Sequence, residues 1–315
     1  MAISVPTMQD LLGAGVHFGH QVRRGHPKMK PFIYGARDGV HIIDLAKSEE
    51  KLKEAVEFAH NLGKEGKVLL VVGTKKQARE IVESLAKEVE TPFIVSRWVG
   101  GLLTNFDEIK KNINRLNDLK DEKAKGTLSR YTKKEQLLID RDLIKFDRDF
   151  GGVAKMDKVP DAMFIVDAVS DKVAVKEARS KGLVIVGFAD TNSDPNNLDY
   201  PIPANDDGIK SIKLISEAVI RAYGEGQKEG GELRIKNEEL RVKEEKKTAE
   251  KKEKEDKKIV AKKEKEDTIG AAKTALDSAK LTEEPRVLDD AVAEEAAAIE
   301  EVVEKKAIED SERKV

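Results

Sequence analysis

Cations without neighbouring acids mark the segment from Leu11 to Arg37. Its basic side chains are Arg23, Arg24, Lys28, Lys30, Arg37 and the histidines His17, His20 and His26. It contains no Asp or Glu, and aromatic rings are interleaved at Phe18, Phe32 and Tyr34. Cations displace counterions from phosphates, and aromatic rings on irregular backbone suit unpaired RNA. The segment is therefore predicted to bind RNA, with an ordinary basic surface loop as the alternative. The candidate contacts are Arg23, Arg24, His26, Lys28, Lys30 and Arg37.

Four aspartates fall in two short motifs near predicted strand ends. Asp190 and Asp194 lie in DTNSDP, and Asp206 and Asp207 lie in NDDG. One interpretation is that they are turn and helix-capping residues. The other follows from topology, because loops at the carboxyl edge of a parallel sheet converge. Asp190, Asp206 and Asp207 would then meet His20 and hold a divalent cation, with the imidazole favouring zinc.

The composition excludes several classes of protein. The 315 residues include no cysteine, so disulfides, thiolate zinc sites and cysteine nucleophiles are absent. The amino terminus has no signal-peptide pattern, and no apolar run is long enough to span a membrane. A formal net charge of −2 gives no general attraction to nucleic acid, so RNA binding depends on local patches. The chain is predicted to be cytoplasmic, with neither membrane nor DNA as a partner.

Short apolar runs alternate with amphipathic helical stretches. Runs predicted as strands are Val40–Ile43, Val68–Val72, Phe93–Val95, Met163–Val166 and Val184–Phe188. Apolar residues at helical spacing follow several of them. Strands that alternate with helices predict an α/β fold with a parallel sheet between two layers of helices.

The loop Gly73-Thr74-Lys75-Lys76 is where a nucleotide-binding enzyme would hold phosphate. The phosphate-loop pattern GxxxxGK[ST] is missing, and no GxGxxG follows a predicted strand. Thr74 and Gln77 have the spacing of a capping box, so Lys75 and Lys76 are expected to be exposed in a first helical turn. A nucleotide-binding α/β enzyme is the alternative to a binding protein.

Residues 104–150 interrupt the alternation with helical patterns alone. Apolar residues recur at Phe106, Ile109, Ile113 and Leu116, and again at Ile139, Leu143, Phe146 and Phe150. Gly126 separates the two stripes, and Thr132 with Glu135 forms a capping box. The pattern predicts an inserted antiparallel helical hairpin whose stripes pack mainly on each other. It is either a solvated packing arm or a docking arm for a partner.

The carboxyl-terminal part is dominated by charge. GEGQKEGGE is expected to end a last helix that spans Ile209 to Tyr223. Stretches such as KEEKKTAEKKEKEDKK then offer ion pairs but no apolar stripe. The chain is accordingly divided into an α/β domain at residues 1–226 and a charged, low-complexity tail at 227–315 that is predicted to be disordered.

These motifs together resemble the bacterial small-subunit ribosomal protein uS2 family. They are AGVHFGHQVRRGHPKMKPFIYGARDGVHIIDL, VGTKKQA, RWVGGLLTNF, KVPDAMFIVDA, DTNSDP and IPANDDGI. The resemblance implies a flavodoxin-like three-layer domain with a coiled-coil hairpin. It also implies docking on small-subunit rRNA near the head–body junction, contact with neighbouring ribosomal proteins and recruitment of ribosomal protein S1. It implies a structural component of the ribosome that is not an enzyme and requires no cofactor.

The resemblance also gives RWVGGLLTNF a place at the base of the hairpin. Gly100 and Gly101 would let the chain leave the sheet, and Thr104 would cap the first hairpin helix. Arg97 beside them is expected to meet phosphate. Trp98 is expected either to wedge the hairpin against the domain or to stack on RNA. Both residues join the candidate RNA contacts.

Overall fold

The computed structural model describes residues 5–234, so most of the predicted tail at 227–315 lies outside the described residues. Helices α1 to α6 are Met8–Gly13, Leu45–Lys64, Arg79–Glu88, Phe106–Ala124, Lys133–Phe150 and Lys172–Ser180, and α7 occupies 209–234. Strands β1 to β8 are Phe18–Gln21, Ile33–Arg37, Val40–Ile43, Leu69–Val72, Phe93–Ile94, Ala162–Ile165, Val184–Phe188 and Tyr200–Ile202. Within this part of the chain, no helix is long and apolar enough to cross a membrane.

Five parallel strands form the central sheet in the order β5-β4-β6-β7-β8. Numbered within the sheet this is 2-1-3-4-5, the order of flavodoxin-like doubly wound folds. Every residue of β4 and β6 is buried, as expected of strands covered on both faces. Leu69 and Val71 belong to one apolar cluster and Leu70 and Val72 to another, one on each face. The predicted α/β class with a parallel sheet is confirmed.

A second, antiparallel sheet contains β1, β3 and β2 in that order. Val40–Ile43 is thus a strand, but the expectation that it joins the parallel sheet is wrong. The strands beside it contain Gly19 and Gly35 and few buried residues, so their sequence shows little strand pattern. Gly19 lets this sheet approach the loop after β7, since a Cβ there would lie 2.5 Å from Thr191 Cγ2.

Helices α4 and α5 occupy the segment predicted as a hairpin. The two helices are antiparallel, as two ion pairs show. Lys120 of α4 pairs with Asp147 of α5, and Lys123, later in α4, pairs with Asp140, earlier in α5. The capping box at Thr132 is present. Thr104 is not a cap, however, because the capping position of α4 belongs to the next residue and the Thr104 hydroxyl donates to Glu177. The coiled-coil geometry stays a prediction.

The base of this helix pair belongs to the core of the domain. One apolar cluster contains residues of α4, α5 and the central sheet: Phe106, Ile109, Ile113, Leu116, Phe150, Leu70, Val72 and Ile165. The expectation that the hairpin stripes pack mainly on each other is therefore wrong for α4. The rest of the α5 stripe is half-buried, at Ile139, Leu143 and Phe146.

Helix α7 does not end at Tyr223, so the expectation drawn from GEGQKEGGE is wrong. Two of its glycines, Gly226 and Gly230, are packing positions against α2. A Cβ at Gly226 would lie 2.0 Å from the His60 carbonyl oxygen, and one at Gly230 would lie 2.3 Å from that of Lys64. The helix passes through the assigned boundary at 226/227 and is joined to α2 by an ion pair of 2.9 Å between Lys64 and Glu229. The division into two domains itself stays a prediction.

This close packing predicts that Gly226→Ala lowers the free energy of unfolding by about 1–3 kcal/mol, because backbone must move to admit the methyl group. Gly231 is the matched control on the same helix, since a Cβ there meets no atom within 4 Å. Gly231→Ala is expected to raise stability by up to about 1 kcal/mol through helix propensity. Urea unfolding followed by circular dichroism measures both. Equal effects of the two substitutions would contradict the packing role.

Candidate functional site

The basic segment presents five cations to solvent: Arg23, Arg24, Lys28, Lys30 and Arg37. Two of them have acidic partners, because the Lys28 ammonium lies 2.7 Å from Asp194 Oδ2 and the Arg37 Nε lies 3.8 Å from Asp38 Oδ2. His26 has a local role: its Nδ1 accepts from the Lys28 N–H at 3.3 Å, at the start of a short 3-10 helix. Within the described residues, the candidate set of this segment therefore contains three cations without an ion pair, two paired cations and one histidine that is engaged in the fold.

Arg97 and Trp98 lie at the base of the α4–α5 pair. Arg97 Nη2 is 3.2 Å from Asp149 Oδ2, although its side chain is 66% exposed. Trp98 is half-buried against the apolar cluster, and its indole N–H donates to Glu177 Oε1 at 3.1 Å. The tryptophan thus packs between the hairpin base and α6. RNA contact by either residue stays a prediction.

Glu177 of α6 holds the whole loop that leads into α4. Its carboxylate accepts the indole N–H, three backbone N–H groups and one hydroxyl, from Trp98, Gly101, Leu103 and Thr104. Burial alone would raise the pKa of Glu177, but these hydrogen bonds outweigh it and lower that pKa. Nothing in the sequence marks this residue as functional, since in KEARSKG it has the pattern of an exposed helical glutamate.

The structure brings His20, Asp190, Asp206 and Asp207 together at the carboxyl edge of the central sheet. His20 Nδ1 lies 3.2 Å from Asp190 Oδ1, and Nε2 lies 3.3 Å from Asp207 Oδ2. Ligand atoms of His20, Asp190 and Asp206 all lie within 4.8 Å of one another. Backbone contacts fix the group: the His20 N–H donates to Thr191 Oγ1 at 2.8 Å, and the Asp206 N–H donates to Asp190 Oδ2 at 3.2 Å.

Lys75 joins this cluster, so the expectation that it is an exposed helical residue is wrong. Its side chain is 17% exposed, and Nζ lies 2.7 Å from Asp206 Oδ1, 2.6 Å from Asp207 Oδ1 and 3.4 Å from Asp167 Oδ2. Lys75 can reach the aspartates because it lies in the loop after β4, since α3 begins only at Arg79. Thr74 is not a cap either, since its hydroxyl donates to Asp171. Lys76 is exposed as predicted.

Mutual contacts shift the pKa values in this cluster. The hydrogen bond with Asp190 raises the pKa of His20, and burial opposes it only in part. Burial alone would lower the pKa of Lys75, but its contacts with Asp206, Asp207 and Asp167 outweigh burial and raise it. Burial and the charges of Asp190 and Asp167 raise the pKa of Asp206 to about 7. Lys75 is therefore the permanent cation of an otherwise acidic cluster.

These residues do not fit the expected zinc ion in the arrangement described. The chain has no cysteine, the ligand that most structural zinc sites use. Both ring nitrogens of His20 already face carboxylates, and the Lys75 ammonium contacts two of the three carboxylates that would hold the ion. The group is therefore an ion-pair cluster in which Lys75 and His20 contact the carboxylates and offset part of their charge, and we assign no metal to it.

This chain is similar to known proteins over most of its length. The family model described as Ribosomal protein S2 matches residues 11–226. Small ribosomal subunit protein uS2 of Helicobacter hepaticus is 46% identical over 230 residues, covering 72% of this chain and 87% of that protein. The uS2 protein of Nitratiruptor sp. is 46% identical over 247 residues, covering 78% and 92%. That of Coprothermobacter proteolyticus is 45% identical over 225 residues, covering 71% and 84%.

Proposed function

The chain belongs to the ribosomal protein S2 family, and on that basis we propose that its basic segment anchors it to small-subunit rRNA. It is a structural protein of the small ribosomal subunit in the cytoplasm, it acts in translation, and it is not an enzyme. The alternative of a nucleotide-binding enzyme is therefore wrong.

The observation that carries the rRNA proposal is the group of exposed cations Arg23, Arg24, Lys30 and Arg37 in the segment Leu11 to Arg37, whose sequence contains no acid. Within the described residues, Arg23, Arg24 and Lys30 make no ion pair, and the Arg23 Nε donates to the uncharged Gln21 amide oxygen. Arg37 faces only Asp38, at 3.8 Å, and both side chains are almost fully exposed. Such a pair is screened by water and contributes little, so these cations are available to phosphate.

The same proposal includes a place near the head–body junction and a part in recruiting ribosomal protein S1. The α4–α5 pair supports a protein contact, because its outer side carries exposed apolar residues: Leu137, Leu138 and Ile144. Isolated exposed apolar residues are common, but three on one helix of an arm that leaves the domain suit docking onto a neighbouring protein.

The rRNA anchor is tested by the salt dependence of binding. Replacing Arg23, Arg24 and Lys30 with Ala should weaken binding to small-subunit rRNA transcribed in vitro. The magnitude of the slope of log K against log salt should fall by about 0.7–0.9 for each phosphate that the variant no longer neutralises, which is about 2.1–2.7 for the triple variant if each cation binds one phosphate. Filter binding between about 50 and 300 mM KCl measures both the affinity and the slope.

The control carries Lys51→Ala and Lys53→Ala on α2, where both lysines pair with glutamates of the same helix. Its slope should equal that of the unmodified protein. If the triple variant also keeps the original slope, the RNA surface lies outside this segment and the proposed anchor is wrong.

A further inference from the structure

Tyr34 on β2 is the most exposed of the large apolar side chains in the described part of the chain, at 83%. Two other tyrosine rings are used by the fold. Tyr200 stacks on Phe58 with ring centroids 4.5 Å apart, and Tyr223 is buried with its hydroxyl hydrogen-bonded to the Lys67 carbonyl. Among the described contacts, Tyr34 makes no hydrogen bond or ring contact. Its ring therefore contributes nothing visible to the fold.

The residues that follow Tyr34 in the chain are small enough to let a planar ring approach. Gly35 and Ala36 follow it on the strand, and Gly39 lies in the turn to β3. A Cβ added at Gly35 or Gly39 would meet no atom within 4 Å. Small residues beside an aromatic ring leave its face open, as base-stacking platforms on β-sheets require.

Charge identifies the class of occupant. Arg37 lies on the same strand with its side chain 86% exposed, and Lys30, just before the strand, is exposed as well. An apolar protein surface would need apolar residues after the ring in the chain, whereas Tyr34 is followed by Gly35, Ala36 and Arg37, and the pairing of Arg37 with Asp38 at 3.8 Å is exposed to water. A nucleotide combines a flat apolar base with an anionic phosphate, and this matches an exposed ring with an exposed cation close to it in the chain on either side.

We propose that Tyr34 stacks on an unpaired base of the rRNA while Arg37 and Lys30 bind the adjoining phosphates. This inference rests on the proposed function and adds to it a contact of a different kind. Stacking uses the face of a base, so the nucleotide must lie in a loop, bulge or single-stranded stretch. The phosphate contacts position the RNA without depending on sequence.

The experiment compares Tyr34→Ala and Tyr34→Phe in the full chain, again with small-subunit rRNA transcribed in vitro. Tyr34→Ala should weaken binding by about 5- to 100-fold, the range expected when one base is no longer stacked. The slope of log K against log salt should not change, because no charge is removed. Tyr34→Phe keeps the ring and should bind within about 3-fold of the original. Urea unfolding of both variants should match the original, since the side chain is exposed.

Each other outcome overturns the inference. If Tyr34→Phe is as weak as Tyr34→Ala, the hydroxyl and not the ring face makes the contact. If Tyr34→Ala changes the salt slope, its effect comes from the phosphate contacts. If Tyr34→Ala binds normally while the Arg23, Arg24 and Lys30 variant flattens the slope, the ring makes no contact with the RNA and the rRNA anchor stands. If Tyr34→Ala and the triple variant of Arg23, Arg24 and Lys30 both bind normally, the proposed rRNA anchor is wrong as well.

Discussion

Replacing Lys75 with Met is expected to lower the free energy of unfolding by about 3–5 kcal/mol at pH 8, because it leaves buried carboxylates without their cation. Asp206 and Asp167 are both buried, and Lys75 Nζ lies within 3.4 Å of each. Methionine has a similar length, so the loss of charge and not of volume dominates. Urea unfolding followed by circular dichroism gives the free energy.

The loss of stability caused by Lys75→Met should be larger at high pH than at low pH. A carboxyl group whose folded pKa is raised contributes stability that is present at low pH and lost as pH rises through that pKa. The pKa of Asp206 is raised to about 7 with Lys75 in place, and removing the cation moves it further upward. Protonated His20 adds an effect of the same sign, since its raised pKa keeps a cation in the cluster at lower pH. Lys75→Met should therefore be less destabilising at about pH 6 than at about pH 8.5.

Lys76 provides the matched control, as the exposed lysine next in the chain. Lys76→Met should change the free energy of unfolding by less than about 0.5 kcal/mol at every pH. If Lys75→Met behaves in the same way, the acid cluster does not depend on this cation, and Lys75 is not the residue that neutralises it.

Glu177→Ala should destabilise the protein by about 3–5 kcal/mol, because it leaves one buried and four partly buried hydrogen-bond donors without their acceptor. The donors are the Trp98 indole, the Thr104 hydroxyl and the backbone N–H groups of Gly101, Leu103 and Thr104. Glu177→Gln keeps the shape but turns one acceptor into a donor, so about 2–3 kcal/mol is expected. The pKa of Glu177 is lowered, so its contribution is present above its ordinary range and lost as pH falls through the lowered value.

The fluorescence of Trp98 reports on the loop that Glu177 holds, since Trp98 is the only tryptophan in the chain. Its emission should shift to the red, and acrylamide should quench it more strongly, in Glu177→Ala before global unfolding. Glu57, exposed in the middle of α2, is the control. Glu57→Ala should leave the emission unchanged and alter the stability by no more than about 0.5 kcal/mol. An unchanged tryptophan spectrum in Glu177→Ala would mean that the loop holds its shape without this carboxylate.

Features that depend on near neighbours in the chain can be predicted from the sequence alone. The apolar run at Val68–Val72 predicts a strand buried on both faces, and β4 is that strand, because burial on both faces leaves no polar position in the run. The capping box of Thr132 and Glu135 spans three residues and is present, whereas the same spacing at Thr74 gives no cap because the Thr74 hydroxyl donates to the remote Asp171. The absence of acids from Leu11 to Arg37 is likewise evident in the sequence, and the structure leaves all five of its lysines and arginines exposed.

The roles of individual charged and small residues, in contrast, can be assigned only from the packed fold. Lys75 and Glu177 have the sequence surroundings of exposed helical residues. The partners of Lys75, however, are the remote residues Asp167, Asp206 and Asp207. The partners of Glu177 lie 73 to 79 positions away in the chain. Gly226 would weaken an isolated helix, but beside α2 the missing side chain is what permits contact. In each case the residue is stabilised by a remote partner that the fold supplies, and no local pattern of residues records where that partner lies.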